Sequence, residues 1–190
     1  MPIDLVGDSL MARIAYPDPA SQSHDVLDRL QRTGSLNVNR MMSHAEGPML
    51  AYSRLGVQLL LRGKLDPILR EVAVLRVGQL CGSAYEWHQH VGVARAVGMD
   101  EATLQAVSEK TFDRLTDVQQ VAVTIAEEVK RDSGARADTI ARARAHLTSE
   151  QLVELLLVVG YYIMTAGVLL SLDIEVEDGP TLGETMSASS

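Results

Sequence analysis

Residues 66–90 read DPILREVAVLRVGQLCGSAYEWHQH and carry the clearest helix signals in the sequence. Asp66 followed by Pro67 is typical of a helix N-cap and a first-turn proline, so a helix is predicted to begin here. Its apolar positions recur at helical spacing up to about Leu80. Gly82 is predicted to end this helix, because glycine readily adopts the left-handed conformation of a C-terminal cap.

A second helix is predicted directly after the first. Ser83 and Glu86 have the spacing of a capping box, in which each side chain bonds the backbone N–H of the other residue. The helix is predicted to continue to about Val97, where Gly98 follows as a stop signal. Two helices joined by so short a connection are predicted to fold back as an antiparallel hairpin.

Capping residues and apolar positions at helical spacing also predict helices in the rest of the sequence. Further helices are predicted over residues 25–31, 38–44, 48–62, 100–107, 116–131, 137–147 and 148–172. Only residues 174–176 alternate in the way that favours a strand, and the pattern is weak. The predicted fold class is all-α, with an N-terminal arm over residues 1–24, one helical domain over 25–177 and a flexible tail over 178–190.

The composition is that of a single globular domain with an acidic balance. The chain has 190 residues, of which 46% are hydrophobic, and a formal net charge of −8. This charge repels phosphate backbones and no Lys/Arg cluster offsets it, so no nucleic acid partner is expected. The single cysteine excludes an intrachain disulfide and a C-x-x-C pair. It fits a reducing compartment, and no secretory signal is recognised, so a cytoplasmic protein is expected.

Residues 155–172 form an uncharged apolar run close to the length of a membrane span. Glu154 precedes the run and Asp173 follows it, and no nearby Lys or Arg would set an orientation. The prediction is no membrane span but a helix buried on nearly every face, at the centre of the domain or in a subunit interface. Tyr161 and Tyr162 interrupt the run, and their hydroxyls need polar partners at a pocket or at a buried carboxylate.

Titratable side chains are concentrated in the predicted hairpin. Glu86 and His90 are four residues apart and share a helix face, whereas His88 points nearly the opposite way. Glu71 comes roughly level with them when the two helices fold back at about 1.5 Å per residue. The sequence therefore predicts that Glu71, Glu86 and His90 converge on one cavity. Two carboxylates in such a pocket would raise at least one pKa and place a proton donor and acceptor around one imidazole.

Each of these residues also has a purely structural interpretation. Glu86 could serve only its capping box, His90 could be a hydrogen-bonded core histidine, and Glu71 could pair with a nearby arginine. Cys81 is expected to be a buried structural thiol rather than a reactive one. No metal is expected, because an H-x-H pair on a helix directs its two imidazoles apart.

Several motifs occur in a fixed order along the chain. They are Leu69-Arg70-Glu71 with Leu75-Arg76, then Cys81-Gly82-Ser83-x-Tyr85-Glu86-Trp87-x-x-His90, then Gly98, and Glu154-Leu155 with Gly160-Tyr161-Tyr162. This order, spread over about residues 37–177, resembles the carboxymuconolactone decarboxylase family, which includes the alkylhydroperoxidase-D-like proteins. The resemblance implies an alkylhydroperoxidase-D-like helical bundle and an obligate homo-oligomer, as a dimer, trimer or hexamer.

The resemblance also separates this chain from the peroxidase branch of that family. In that branch a glutamate precedes a C-x-x-C-x-x-x-H motif, and Glu71 and His90 match the glutamate and the histidine. Ser83 and Glu86 occupy the two cysteine positions, so the sulfur pair for thiol-based peroxide reduction is absent. The branch implied is the non-redox, decarboxylase-like one. Ile163 is a further departure, since relatives often carry a polar residue there.

The function implied is chemistry without a cofactor: acid–base catalysis of a decarboxylation, or of a related lyase or isomerase step, on a small organic acid or lactone. His90 is expected to transfer the proton, with Glu86 orienting it or sharing its proton and Glu71 tuning the pair. The substrate pocket is expected to include Tyr85, Ser83, Trp87, Cys81 and Tyr162. Two alternatives stay open: a peroxidase-like antioxidant protein that uses Cys81 alone, and a non-catalytic oligomer that binds a small ligand.

Overall fold

Ten α-helices follow one another in the computed structural model, which describes residues 12–188 and their side chains up to residue 185. They are α1 (His24–Arg32), α2 (Asn37–Met42), α3 (Glu46–Leu61), α4 (Pro67–Cys81), α5 (Ala84–Ala96), α6 (Glu101–Glu109), α7 (Asp117–Asp132), α8 (Ala137–Ala143), α9 (Ser149–Leu172) and α10 (Leu182–Ala188). No strand occurs within residues 12–188, so the all-α fold class is confirmed. Residues 1–11 of the predicted arm lie outside the described residues, and residues 12–23 contain a single 3₁₀ turn.

The α4–α5 hairpin forms as its capping residues predict. The Asp66 carboxylate accepts a hydrogen bond from the N–H of Leu69 at 2.8 Å and begins α4. Gly82 follows the end of α4 with a φ of +70°, in the left-handed region where a Cβ is disfavoured. Ser83 Oγ then accepts a hydrogen bond from the N–H of Glu86 at 3.3 Å and begins α5. This short turn fixes how the side chains of the two helices face each other.

Helix α4 lies at the centre of the domain. It packs against α5, α7 and α9, and nine of its 15 residues are buried. Val72, Leu75 and Val77 are each at most 1% exposed. Burying an aliphatic side chain of this size contributes roughly 1.5–3 kcal/mol. The helix that carries Glu71 is therefore held from several sides by apolar packing.

Helix α9 is the longest, with 24 residues, and begins at a complete capping box formed by Thr148 and Gln151. By length and composition it could cross a membrane, a test that the core helix of a soluble protein also passes. One side of α9 packs into the core. The other side leaves Val153, Leu157 and Met164 exposed, and Leu170 is exposed near the C-terminal end of the helix, each by 46% or more. In the single chain, the prediction of a helix buried on nearly every face is wrong for this stripe.

The C-terminal segment is folded where the composition predicts a flexible tail. α10 packs along α5. The N–H of Thr181 donates to the Glu184 carboxylate at 2.7 Å, and the N–H of Glu184 donates to the Thr181 hydroxyl at 3.3 Å. These reciprocal bonds are those of a capping box, so the helix signal Thr-x-x-Glu was present within a polar, Ser/Thr-rich stretch.

Candidate active site

His90 is directed into the interior of the domain by α5. The side chain is 5% exposed, and its Nδ1 lies 2.8 Å from Oε2 of Glu71 on α4. The other oxygen of Glu71, Oε1, accepts a hydrogen bond from Nε of Arg70 at 2.8 Å. The Glu71 carboxylate is therefore held between a guanidinium and an imidazole, which gives a buried charge the partners it requires. Both interpretations of Glu71, as the partner of an arginine and as the partner of His90, are realised in one contact network.

The contact with Glu71 determines which nitrogen of His90 can act on a ligand. A carboxylate only accepts hydrogen bonds, so Nδ1 carries the proton when the ring is neutral. Nε2 is then the nitrogen with a free lone pair. His90 lines the cavity described below, whereas Glu71 lies behind it. Nε2 is thus the atom placed to take a proton from a bound molecule or to return one.

Glu86 is a buried carboxyl group without a hydrogen-bond partner. The residue is 2% exposed, and neither Oε1 nor Oε2 is bonded to any group of the described residues. A charge is poorly solvated in such a place. Burial accordingly raises the pKa of Glu86 from its ordinary value near 4.5 to about 8. At neutral pH this carboxyl group is therefore mostly protonated and can donate a proton.

The capping interpretation of Glu86 is wrong for its side chain. Ser83 does accept from the backbone N–H of Glu86, but the reciprocal bond from Ser83 N–H to the Glu86 carboxylate is not made. The N–H of Ser83 instead donates to the carbonyl of Gly78 at 2.9 Å, as part of the C-terminal cap of α4. With that donor already used, the carboxyl group of Glu86 is left to face the cavity.

A cavity of about 390 Å³ lies in front of these two residues. Its lining comes from α1, α2, α3, α5, α9 and α10 and from the residues beside them. The polar lining residues are Arg32, Thr33, Asn39, Tyr52, Ser53, Tyr85, Glu86, Gln89, His90, Tyr161, Tyr162, Thr165 and Thr185. The apolar ones are Leu36, Val38, Gly56, Val57, Leu60, Leu61 and Leu182. The volume suits a small organic molecule and not a macromolecule.

Three tyrosines form one wall of this cavity. The rings of Tyr52 and Tyr161 stack at 4.5 Å between centroids, and Tyr162 meets the edge of His90 at 4.7 Å. The hydroxyl of Thr165 donates to the carbonyl of Tyr161 at 2.8 Å. Since its one proton is used there, Thr165 accepts the hydrogen bond from the Tyr52 hydroxyl at 2.9 Å. Burial raises the pKa of Tyr52 and of Tyr162, so both hydroxyls keep their protons.

The structure brings together five of the eight predicted site residues. Glu86 and His90 line the cavity with Tyr85 and Tyr162, and Glu71 supports His90 from behind. The orienting hydrogen bond to the imidazole comes from Glu71, where the sequence analysis assigns orientation to Glu86. The Tyr85 hydroxyl is not free for a ligand, because it donates to the Glu177 carboxylate.

Ser83, Trp87 and Cys81 do not belong to the cavity lining, which corrects their predicted place in the substrate pocket. Ser83 is used for capping α5. Trp87 follows Glu86 by one residue, a rotation of about 100° around the helix, and packs against a separate apolar cluster with Leu75. Cys81 packs against the main apolar core at the end of α4, and burial raises the pKa of its thiol. A less acidic thiol forms less of the nucleophilic thiolate.

Several residues that line the cavity from other helices were not predicted to belong to the site. Tyr52 and Asn39 lie within predicted helices, where they look like ordinary helix residues, and Thr165 lies within the apolar run of α9. The signal in the sequence was a hydroxyl or amide side chain among apolar helix positions. Such a group needs a polar partner, as was noted for Tyr161. Assigning it to this cavity required the tertiary arrangement.

Among residues 12–188, no group of three or more His, Cys, Asp or Glu side chains is arranged to hold a metal ion. His88 points away from His90, as its position on the helix predicts, and lines a shallow surface groove with Arg95 and Glu184.

Comparison with known proteins agrees with this fold. Residues 49–128 match the profile of the carboxymuconolactone decarboxylase family. A peroxidase-related protein from Ralstonia eutropha JMP134 with an alkylhydroperoxidase AhpD core has a TM-score of 0.78 at 16% identity, over 88% of this chain and 93% of that chain. A peroxidase-related protein from Silicibacter sp. TM1040 has a TM-score of 0.77 at 14% identity, over 92% of this chain and 96% of that one.

A further solved structure of the same fold is the debrominase Bmp8, as a cysteine-to-alanine variant in complex with 2,3,4-tribromopyrrole. Its TM-score is 0.74 at 12% identity, over 96% of this chain and 98% of that chain. No curated protein sequence matches the chain significantly. The helical fold and the family profile together define the class: residues 49–128 match the carboxymuconolactone decarboxylase family, and the chain has the alkylhydroperoxidase-D-like fold.

Proposed function

We propose that this protein is a carboxymuconolactone decarboxylase-like enzyme that uses acid–base chemistry without a cofactor. The reaction is a decarboxylation, or a related lyase or isomerase step, on a small organic acid or lactone. The observation that carries the proposal is the carboxyl group of Glu86, buried at the cavity wall without a partner and with a pKa of about 8. Ionising a buried carboxyl group destabilises the folded protein. Carboxyl groups with such raised pKa values are concentrated at catalytic sites.

A decarboxylation would use this proton donor as follows. The bond between the substrate carbon and its carboxylate breaks, CO₂ leaves, and the electron pair moves through the conjugated system to a carbonyl oxygen. The protonated Glu86 donates a hydrogen bond to the enolate oxygen that forms. Carbon then takes up one proton, so the net change replaces CO₂ by H.

His90 delivers that proton. Its Nε2, unprotonated in the neutral ring, first takes a proton from the substrate's carboxyl group or from water, and the imidazolium then gives it to the carbon. The Nδ1–H of His90 is fixed by Glu71, so Nε2 faces the bound molecule. The negative charge of Glu71 stabilises the imidazolium form that exists between the two transfers. Arg70 holds Glu71 in place, and the wall of Tyr52, Tyr161 and Tyr162 excludes bulk water from the reacting atoms.

The peroxidase alternative has less support from the site. Cys81 lies outside the cavity and carries a pKa raised by burial. The two positions where the resemblance expects cysteines carry Ser83, which is used in a cap, and Glu86. A peroxidase reaction through Cys81 would therefore need a thiolate at a place where burial opposes it.

The test is turnover by the full chain on β-keto acids and carboxylated unsaturated lactones, followed as CO₂ release. Glu86→Gln and His90→Gln are each expected to lower kcat/KM by about 10²–10⁴-fold, the usual effect of a general acid or base. Glu150→Gln and His146→Gln change exposed residues of the same types and should leave the rate unchanged. Stoichiometric binding without turnover, unaffected by either site variant, would instead make the protein a ligand-binding one. Peroxide consumption that alkylation of Cys81 abolishes would favour the peroxidase.

We also propose that the protein is a homo-oligomer. Support comes from α9, where Val153, Leu157 and Met164 are exposed on one face with no charged residue among them. Gly160 and Gly167 lie on the same face and would allow a second helix to approach closely. A stripe of this kind on a monomer exposes apolar area that a second copy of the chain can cover.

A further inference from the structure

Two of the segments that line the cavity lie outside residues 49–128, the part that matches the family profile. One segment runs from the end of α1 into α2 and contributes Leu36 and Asn39 to the lining. The other is the C-terminal segment, residues 174–185, which contributes Leu182 and Thr185 from α10. The catalytic candidates Glu71, Glu86 and His90 all lie within the matched part. The catalytic candidates and these two lining segments thus lie in different parts of the sequence.

Glu177 joins these two lining segments to α5. Its Oε1 accepts hydrogen bonds from the Tyr85 hydroxyl and from the backbone N–H of Asn37, the first residue of α2. Its Oε2 accepts a hydrogen bond from Nε2 of Gln89 at 2.7 Å. A single carboxylate therefore ties α2, α5 and the C-terminal segment together, and charge-assisted bonds of this kind are the stronger ones.

Gln89 continues this contact to α10. Its Oε1 accepts a hydrogen bond from the backbone N–H of Leu182 at 2.7 Å, while its Nε2 is used by Glu177. Gln89 is 3% exposed. Although it lies one turn from Glu86 and lines the cavity, its amide is already engaged at both ends. Both ends of its amide therefore hold the C-terminal segment against α5.

The backbones of α5 and α10 also meet directly. A Cβ at Gly183 would lie 2.1 Å from the carbonyl carbon of Gly92, and one at Gly92 would lie 2.9 Å from Oγ1 of Thr181. Only residues without a side chain permit this approach. α10 is therefore held against α5 by backbone contact and by the Gln89 hydrogen bond.

We infer that residues 174–185 form the specificity-determining wall of the cavity, with Leu182 and Thr185 facing the substrate and Glu177 as the residue that positions them. The kinetic prediction that follows rests on the proposed function, because it needs a substrate that turns over. On a substrate that turns over, Glu177→Gln and Leu182→Ala raise KM about tenfold and leave kcat within about twofold, because neither residue touches the groups that transfer protons.

The decisive experiment needs no substrate: the rate at which diethyl pyrocarbonate modifies His90 in the full chain, read by mass spectrometry. His24 and His146, both exposed, serve as internal references. Glu177→Gln and Gly183→Ala should each raise the His90 rate about tenfold relative to the references, because loosening the wall opens the cavity by local unfolding. Asp178→Asn, an exposed neighbour with the same change of charge, should leave it unchanged.

An unchanged His90 rate in both variants, with the helix content of the wild type, would overturn the inference. Loss of the whole fold in Glu177→Gln would also overturn it, since the wall is inferred to open without disturbing the α4–α5 hairpin. These outcomes are independent of turnover. A protein that proves inactive on every acid and lactone can still show that residues 174–185 control access to His90.

Discussion

Nδ1 of His90 lies 2.8 Å from Oε2 of Glu71, although 19 residues separate them and each lies on a different helix. The contact exists because Gly82 ends α4 in the left-handed conformation and Ser83 begins α5 at once, so the helices fold back in one register. Arg70 completes the network from the other oxygen of Glu71. The two-residue connection of Gly82 and Ser83 thereby determines the geometry of the candidate site.

Removing Glu71 should cost more stability than removing an ordinary ion-pair partner. Glu71→Ala leaves the Arg70 guanidinium, 4% exposed, without its partner, and breaking a buried pair usually costs about 3–5 kcal/mol. Urea unfolding measures this. The matched control is Glu127→Ala, because the Glu127 side chain is 33% exposed and its partner Arg76 keeps its contacts with Gln79 and the Phe112 ring. That variant should lose about 1 kcal/mol or less. Equal losses of unfolding free energy in the two variants would show that the buried contacts of Glu71 contribute no more than those of Glu127.

The pH dependence of stability should reveal Glu86. The folded protein keeps the Glu86 proton up to a pKa of about 8, whereas the unfolded chain releases it near 4.5. Between these values the folded state binds more protons, so the free energy of unfolding falls as pH rises and levels off above pH 8. At about 1.4 kcal/mol per pKa unit, the decline amounts to a few kcal/mol.

Glu86→Gln should remove this decline, because the amide does not ionise. The variant is expected to match the wild type near pH 5 and to be more stable than it at pH 8 and above, by urea unfolding at each pH. Glu150→Gln, at an exposed position, should keep the wild-type profile. Parallel profiles for wild type and Glu86→Gln would show that Glu86 ionises normally.

Much of the α4–α5 region could be predicted from sequence, because its signals are local. Asp66, Gly82 and Ser83 each act within one helical turn, and the i, i+4 relation of Glu86 and His90 follows from helix geometry alone. The use of the Glu86 carboxyl group could not be predicted. The capping box failed because the N–H of Ser83 is taken by Gly78 across the turn, a competition that the spacing of residues does not show.

The contacts of the wall formed by residues 174–185 could not be predicted from the sequence either, for a different reason. Glu177 meets Tyr85 across 92 residues and Gln89 across 88, and no periodicity links such positions. α10 also has only seven residues in a polar stretch, so its composition favoured a flexible tail. Its stability comes from tertiary contact with α5, and not from its own helix propensity.

Gly56 should be essential for the tyrosine wall. A Cβ at this position would lie 2.4 Å from the hydroxyl oxygen of Tyr161, so Gly56→Ala must displace that ring or the helix. Overpacking of this kind usually costs about 1–3 kcal/mol. Gly47→Ala, on the same helix with open space around it, is the control and should be neutral or slightly stabilising. Similar melting temperatures for the two variants would mean that Tyr161 does not pack as described.

The thiol of Cys81 should be dispensable. Cys81→Ser is expected to retain at least half of the catalytic rate on any acid or lactone that turns over, because Cys81 is outside the cavity. It should lose only the small stability that a half-buried apolar thiol contributes. Steady-state kinetics with both proteins checks this, and a loss of a hundredfold or more would restore a catalytic role for the sulfur.

The exposed face of α9 should hold the subunits together. Leu157→Glu places a charge in the middle of the apolar stripe, and we expect the oligomer to dissociate by at least one step in light scattering after gel filtration. Leu27→Glu alters an equally exposed leucine on α1 and is the control. A monomeric wild-type protein, or an oligomer that Leu157→Glu leaves intact, would contradict the proposed interface.

The most direct measurement is a titration of the glutamate side chains by carbon-detected NMR, with ¹³C-labelled glutamate, in the wild type and in Glu86→Gln. One carboxyl signal of the wild type is expected to titrate with a pKa near 8 and to be missing in the variant. If every glutamate of the folded wild type titrates below about pH 6, Glu86 is not a proton donor at neutral pH and the proposed acid–base site is wrong.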